Sequence, residues 1–174
     1  SYLMPPMVDL ASVATPGEIA ALGEKLDALE HAVSIDHNKG SLLAHLVGVW
    51  RVLRSGGADT ELANAGLIHS VYSTQFFKQK LFEESDRHKV AETFGAHSEN
   101  IAWLFCSIDR SSLWATRPPY GFFADAVAFD YRTRSRIQLE ADIANDLFAL
   151  ECANFIDQGY QDRSVGPFHA WALS

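Results

Sequence analysis

Cysteine, long apolar runs and positive charge are all scarce in this sequence, and each shortage excludes a class of protein. The only two cysteines, Cys106 and Cys152, lie in apolar helical segments, which is typical of buried, reduced thiols and not of a disulfide framework. No apolar stretch is long enough for a membrane-spanning helix, and no signal-peptide pattern precedes the first helix. We therefore expect a cytoplasmic protein with no membrane partner.

Acidic residues outnumber basic ones, and the formal net charge is −8. Such a chain has no overall positive field with which to hold nucleic acid, so we expect no nucleic-acid partner. The one short basic run, Arg132, Arg134 and Arg136, is typical of a solvated face, with anion binding as the alternative. At 174 residues the chain can bury one sizeable core. We expect a single domain over 1–174 that binds a small molecule, and a homodimer is compatible with this composition.

Capping signals mark the helices of the first half. Residues 1–14 show no helical period and read as an extended N-terminal arm. Thr15-Pro16-Gly17-Glu18 combines an N-cap, a proline at the first helical position and a capping-box glutamate, which predicts a helix to about Ala32. A second helix is predicted from Ser41, and Asp59 is the predicted N-cap of a third.

The second half is predicted to contain further helices and one long connection. Periodicity predicts helices over 86–94 and 98–109, an ordered loop over 110–134, a long C-terminal helix over 135–158 and a tail over 159–174. A loop of that length in a compact domain is more often functional than idle. No alternation typical of a strand persists, so the predicted fold is all-α, a compact bundle of about six or seven helices.

Two inward-facing histidines and a later carboxylate are candidate metal ligands. His45 and His69 lie on the predicted inner faces of consecutive helices, and Asp109 lies at the end of a later helix. Two imidazoles and one carboxylate can hold one divalent ion, Fe, Mn or Zn, and leave positions open for water or substrate. A buried histidine satisfied within the core, with no metal bound, is the equally open alternative.

The polar cluster that follows the third helix suggests acid–base chemistry. His69 is followed closely by Ser70 and Tyr72, and His37 lies in a polar break earlier in the chain. A buried histidine near a tyrosine hydroxyl can be tuned to exchange protons near neutral pH. We therefore assign His69, Ser70, Tyr72 and His37 as candidate catalytic residues.

Two arginines are candidates for holding a substrate. Arg87 and Arg110 can each bind a carboxylate or phosphate through two hydrogen bonds, and Ser73 and Glu99 are the polar residues predicted beside them. Salt bridges to protein carboxylates, such as Glu99 or Asp109, are the alternative for both arginines.

The segments 45–53 and 65–69 resemble the opening of the HD-domain superfamily, a helical family named for a His-Asp pair. By position, His45 matches the family's first histidine, His69 the histidine of the pair and Asp109 its last aspartate. The resemblance implies a helical bundle that binds one or two divalent metal ions. It also implies phosphohydrolase activity or, in a branch with two irons, oxygenase activity.

The chain departs from that pattern at one position, because Ser70 follows His69 where the family has aspartate. Serine is a poor ligand, so the resemblance, which covers roughly 37–110, implies one metal ion at most. The chain is also similar to a little-described bacterial group of HD-like domains. The residues that carry this second similarity are His69-Ser70-Val71-Tyr72-Ser73, Arg87, Glu99 and Phe105-Cys106 to Arg110.

Two functions follow as expectations from the residues and the resemblance. The first is a small-molecule enzyme, a hydrolase, oxygenase or lyase, with an HD-like core over 15–110 and either a single assisting metal ion or metal-free histidine chemistry. The second is a non-catalytic domain that kept the fold, lost the metal site and binds a ligand or partner.

Overall fold

Helices make up most of the structure, a computed structural model that describes residues 10–33, 39–118 and 124–161. The first four helices are α1 (Leu10–Val13), α2 (Pro16–Ala32), α3 (Lys39–Ser55) and α4 (Thr60–Leu67). After a 3₁₀ turn (Glu84–Asp86) come α5 (Arg87–Phe94), α6 (Ala96–Ser107) and α7 (Arg110–Ala115). Two strands, β1 (Ala126–Phe129) and β2 (Arg136–Leu139), precede the last helix, α8 (Ala141–Gln161). The fold is therefore predominantly α, as expected, but not purely so.

The two predicted N-caps are confirmed. The Thr15 hydroxyl accepts a hydrogen bond from Glu18 N at 3.2 Å, and the Glu18 carboxylate accepts one from Thr15 N at 3.4 Å. At the start of α4, Asp59 Oδ1 accepts a hydrogen bond from Leu62 N at 2.8 Å. Each bond satisfies an N–H group that would otherwise have no partner in the first helical turn. These helices therefore begin where local side-chain chemistry places them.

Four predicted boundaries are wrong. Within the predicted extended arm, residues 10–13 form α1, while residues 1–9 lie outside the described part. The predicted loop 110–134 contains α7 and β1. The predicted helix 135–158 begins only at Ala141, because residues 136–139 form β2. Of the predicted tail, residues 159–161 continue α8, and the remainder from 162 lies outside the described residues.

A hairpin replaces the expected loop. Strands β1 and β2 pair antiparallel, with Ala126 opposite Leu139 and Phe129 opposite Arg136. The turn between them is closed by a 2.8 Å hydrogen bond from Arg134 N to Asp130 O. Asp109 N donates to Phe129 O at 2.7 Å, which ties the start of α7 to the hairpin. Pairing between distant segments thus determines the conformation of this region.

Helix α3 lies between α4 and α8 and packs closely on both. At Gly66 on α4, a Cβ would lie 3.0 Å from Leu53 Cδ1 and Val49 Cγ1 of α3, so the missing side chain permits close approach. At Gly48 on α3, a Cβ would collide with the Asp157 carboxylate of α8. These two glycines bring polar groups of three helices to one place.

The buried core is apolar apart from polar side chains in the segment that follows α4, on α6, at the start of α7 and on α8. Cys106 and Cys152 are both free, as expected, and burial raises the pKa of each thiol to about 12. Among the helices of the described ranges, none has both the length and the apolar character needed to cross a membrane.

Candidate functional site

The structure brings His45 of α3 and His69 at the end of α4 into direct contact. Their Nε2 atoms lie 3.3 Å apart, and the two rings meet edge to face with centroids 5.1 Å apart. His69 is buried, and its ring also packs against Phe105 of α6 with centroids 5.5 Å apart. Two histidines separated by 24 positions in the chain therefore form one pair.

The other nitrogen of each ring contacts an oxygen that only accepts hydrogen bonds. His45 Nδ1 lies 2.6 Å from Asp157 Oδ2, and His69 Nδ1 lies 2.7 Å from the carbonyl oxygen of Gly66. A carboxylate and a carbonyl cannot donate, so both Nδ1 atoms must carry hydrogen. In a neutral imidazole the second nitrogen is then bare, which leaves a lone pair on each Nε2 atom.

Two lone pairs facing each other at 3.3 Å repel unless a positive charge lies between them. One way to supply that charge is a proton shared by the two Nε2 atoms. Burial, followed by the charge of His45, lowers the pKa of His69 to about 3. Asp157 Oδ2, which lies 2.6 Å from His45 Nδ1, would balance the charge of a proton held between the two rings.

A cavity of about 670 Å³ opens beside this pair. Its polar wall includes His45, His69, Ser70, Arg110, Glu151 and Asn154. Exposed residues mark its mouth: Ser41, Gln158 and above all Phe76, which is 72% exposed. A cavity of this size, with polar groups converging at its base, is typical of a small-molecule site.

Arg110 and Glu151 form a buried ion pair in the cavity wall. Arg110 Nη1 donates to Glu151 Oε2 at 2.9 Å, and the guanidinium carbon lies 3.8 Å from the centre of the Phe105 ring. Burial raises the pKa of Glu151, and the charge of Arg110 opposes that shift. The predicted substrate-binding residue Arg110 thus lines the cavity, with its charge already balanced by a protein carboxylate.

Three buried polar atoms of this wall have no hydrogen-bond partner among the described residues: Arg110 Nε, Glu151 Oε1 and Asn154 Oδ1. Buried polar atoms in native proteins are nearly always paired with protein, water or ligand. An unpaired cluster in a cavity wall therefore marks a place where a bound molecule can complete the hydrogen bonding.

The structure does not bring Asp109, the third predicted metal ligand, together with the two histidines. Its Oδ1 accepts hydrogen bonds from Ser111 N at 3.0 Å and Ser111 Oγ at 2.6 Å, which caps α7. Its Oδ2 lies 3.1 Å from Arg134 Nη1, and the Ser111 hydroxyl is the largest influence that lowers the pKa of Asp109. Over residues 10–33, 39–118 and 124–161, no three His, Cys, Asp or Glu side chains are grouped to hold a metal ion.

The predicted residues Tyr72, Arg87 and Glu99 form a second, closed network. Tyr72 Oη donates to Glu99 Oε1 at 3.0 Å, and Arg87 binds both oxygens of Glu99, at 2.6 and 3.1 Å. The Arg87 guanidinium carbon lies 4.2 Å from the centre of the Trp103 ring. Burial and the Glu99 hydrogen bond raise the pKa of Tyr72 above its usual value. None of these residues lines the cavity, so this network braces the fold.

Of the other predicted site residues, one lines the cavity and one lies away from it. Ser70 lines the cavity beside His69 and is buried. The Ser73 hydroxyl instead accepts a hydrogen bond from Arg132 Nη2 at 3.1 Å, away from the cavity. His37 lies outside the described residues.

Sequence reasoning missed Glu151, Asn154 and Asp157, which α8 contributes to the site. The apolar side chains of Phe148 and Cys152 on this helix are only partly buried, whereas Glu151, Asn154 and Asp157 are buried. The available signal was the polar spacing Glu151, Asn154 and Asp157 within an apolar helix, three residues apart at each step. Such a stripe in a buried helix indicates polar groups that need partners.

The family whose sequence model matches residues 27–110 is described as a domain of unknown function (DUF6817). The chain is similar to that family over this segment, which includes His45, His69 and Arg110 but ends before α8. Neither the curated proteins nor the solved structures include a significant match to the chain.

Proposed function

We propose that this protein is a small-molecule enzyme whose reaction takes place at the His45–His69 pair through proton transfer without a metal ion. The observation that carries the proposal is the 3.3 Å approach of two Nε2 atoms whose rings both donate through Nδ1. That arrangement holds one exchangeable proton at the edge of a cavity large enough for a substrate.

Each residue of the pair has a distinct role in this proposal. Asp157 fixes the ring orientation of His45, as a carboxylate does for a general base in many enzymes, and balances the charge of the proton that His45 donates. Protonated His45 donates its Nε2 proton to a leaving group. Once that charge is gone from the pair, the proton of a nucleophile such as water passes to the pair and restores it. Hydrolysis and elimination both need such a pair of transfers, and both are compatible with the site.

We also propose that the helices adopt an HD-like arrangement. The support is that α3 and α4, consecutive in the chain, present His45 and His69 with their Nε2 atoms facing each other. Ser70 lines the cavity where that family's pattern has an aspartate. The activities known for HD domains are not carried over, since Asp109 caps a helix elsewhere.

A single divalent metal ion, in place of the shared proton, is the second candidate for the positive charge between the two Nε2 atoms. Two nitrogens on a tetrahedral ion with bonds of about 2.0–2.1 Å are separated by roughly 3.3 Å, which matches the observed pair. The Nδ1 contacts to Asp157 and Gly66 are of the kind that orient metal-binding imidazoles. His45 and His69 would hold such an ion, which when bound supplies an activated water molecule.

A ligand-binding domain without catalysis is the third candidate, favoured by Ser70 in place of the expected acid. One experiment separates the three candidates. The protein is purified without chelator, its metal content is measured, and the histidine protons are titrated by nitrogen-15 NMR, in parallel with His69→Ala and the exposed control His88→Ala.

Proton transfer predicts a metal-free protein in which one proton is shared between the two Nε2 atoms, a signal lost in His69→Ala and retained in His88→Ala. Stoichiometric metal lost only in His69→Ala would favour the metal candidate. Two imidazoles that titrate independently near their ordinary pKa, in protein without metal, would exclude both chemistries and leave ligand binding.

A further inference from the structure

We infer that the cavity binds an uncharged head group that both donates and accepts hydrogen bonds, a carboxamide or urea, attached to an aromatic or apolar body. The inference rests on the proposed function, because it places the substrate beside His45 and His69. It concerns the class of substrate, which the histidine pair alone does not determine.

The charge of the cavity wall excludes anionic substrates. Among the described residues that line the cavity, Arg110 is the one Lys or Arg and Glu151 the one Asp or Glu. They are 7% and 0% exposed and lie 2.9 Å apart, so their charges cancel within the wall. In the proposed pair, the charge of protonated His45 is likewise balanced by Asp157, 2.6 Å away. A phosphate or carboxylate that moved from water into this cavity would therefore find no unbalanced cation to replace its hydration, which is costly.

The unpaired atoms specify the complementary group. Arg110 Nε is a donor, whereas Glu151 Oε1 and Asn154 Oδ1 are acceptors, and all three are buried without a partner among the described residues. A primary carboxamide has one carbonyl oxygen for the donor and two N–H hydrogens for the acceptors. A carboxylate or phosphate has no hydrogen to offer either acceptor at neutral pH and would face both of them with negative charge.

The mouth of the cavity favours an apolar or aromatic body. Phe76, Phe77 and Phe155 line it, and Phe76 is 72% exposed, which is unusual for a phenylalanine. The Thr74 hydroxyl accepts hydrogen bonds from Phe76 N at 3.2 Å and Phe77 N at 2.9 Å, so the two rings are carried by a held turn. A flat apolar group emerging from the polar wall would meet these rings.

Three probes with the same ring test the inference by isothermal titration calorimetry: benzamide, benzoate and phenyl phosphate. We expect benzamide to bind with millimolar affinity and both anions to bind at least about tenfold more weakly, since an unpaired buried charge or acceptor discriminates strongly. Preference for either anion, or no binding of benzamide at millimolar concentrations, would overturn the inference.

The variant Glu151→Gln sharpens the test, because it keeps the shape of the side chain and leaves the charge of Arg110 unbalanced. We expect the order to reverse, with benzoate bound more tightly than benzamide. The exposed control Glu140→Gln makes the same change in net charge away from the cavity and should retain the wild-type order. Unchanged preference in folded Glu151→Gln would count against the role of the Arg110–Glu151 pair.

Asn154→Leu provides an independent test if Glu151→Gln fails to fold. It removes one acceptor and should weaken benzamide binding about tenfold while leaving the binding of the anions unaffected. Unaltered benzamide binding would contradict the inference.

The shared histidine proton is measured separately by NMR. A normal shared proton in a cavity that prefers anions would overturn this inference alone, whereas benzamide preference with independently titrating histidines would overturn only the proposed function.

Discussion

A single acceptor atom determines what each imidazole of the pair can do. The carbonyl oxygen of Gly66 and the carboxylate of Asp157 hold the hydrogens of His69 and His45 on Nδ1. If either Nδ1 atom faced a donor instead, its Nε2 atom would carry a hydrogen and the two rings could pair without any shared charge. The reactivity of the site therefore depends on atoms that never contact a substrate.

The low pKa of His69 predicts a specific pH dependence of stability. Its pKa is about 3 in the folded protein and 6.5 in the unfolded chain. Between these values the unfolded state binds more protons, so the free energy of unfolding falls as the pH is lowered through this window. As the pH is lowered through this window, we expect the unfolding free energy of wild type to fall by up to about 1.4 kcal/mol per pH unit more than that of His69→Gln.

Urea denaturation at several pH values between about 3 and 6.5 measures this difference. His88→Gln serves as the control, because that side chain is exposed and should leave the wild-type slope unchanged. Parallel curves for wild type and His69→Gln would show that His69 titrates normally in the fold.

Helix starts that depend on side chains within a few residues could be predicted from the sequence. Segments whose conformation depends on pairing with a distant strand could not. The starts of α2 and α4 follow from Thr15 and Asp59, whose cap bonds are made within three residues. Residues 136–139 contain Ile137 at an apparently helical position, yet they pair with β1 across a turn. Four-residue strands carry too little alternation to be recognised before their partner is known.

The cap at Asp109 yields a prediction that separates stability from the site. Asp109→Ala removes the hydrogen bonds to Ser111 and the ion pair with Arg134, and we expect it to cost about 1 kcal/mol of unfolding free energy. The shared proton of the histidine pair should persist. Asp109→Asn keeps a capping oxygen and should be destabilised less. Loss of the shared proton in folded Asp109→Ala would show that Asp109 contributes to the histidine site.

At the scale of the whole molecule, the site exists only because α3, α4 and α8 meet. His45 and Asp157 are 112 positions apart, and the segment similar to the DUF6817 family ends before Glu151, Asn154 and Asp157 begin. The positions of His45 and His69 as candidates followed from helix periodicity. Their partners on α8 did not, because which face of that helix turns inward depends on how it packs against α3.

Gly48 controls that packing, and its replacement tests the assembled site as a unit. A Cβ there would collide with the Asp157 carboxylate, so Gly48→Ala must displace α8 or turn Asp157 away from His45. We expect a loss of about 1–3 kcal/mol in unfolding free energy and loss of the shared-proton signal at the histidine pair.

Gly23→Ala is the matched control, because a Cβ at this exposed position of α2 meets no atom within 4 Å. It should stabilise the protein by about 0.5–1 kcal/mol, the usual gain when alanine replaces glycine within a helix, and leave the histidine pair intact. The opposite signs of two identical substitutions would then isolate the contact between α3 and α8. A Gly48→Ala protein as stable as wild type, with its shared proton retained, would mean that Asp157 does not hold His45.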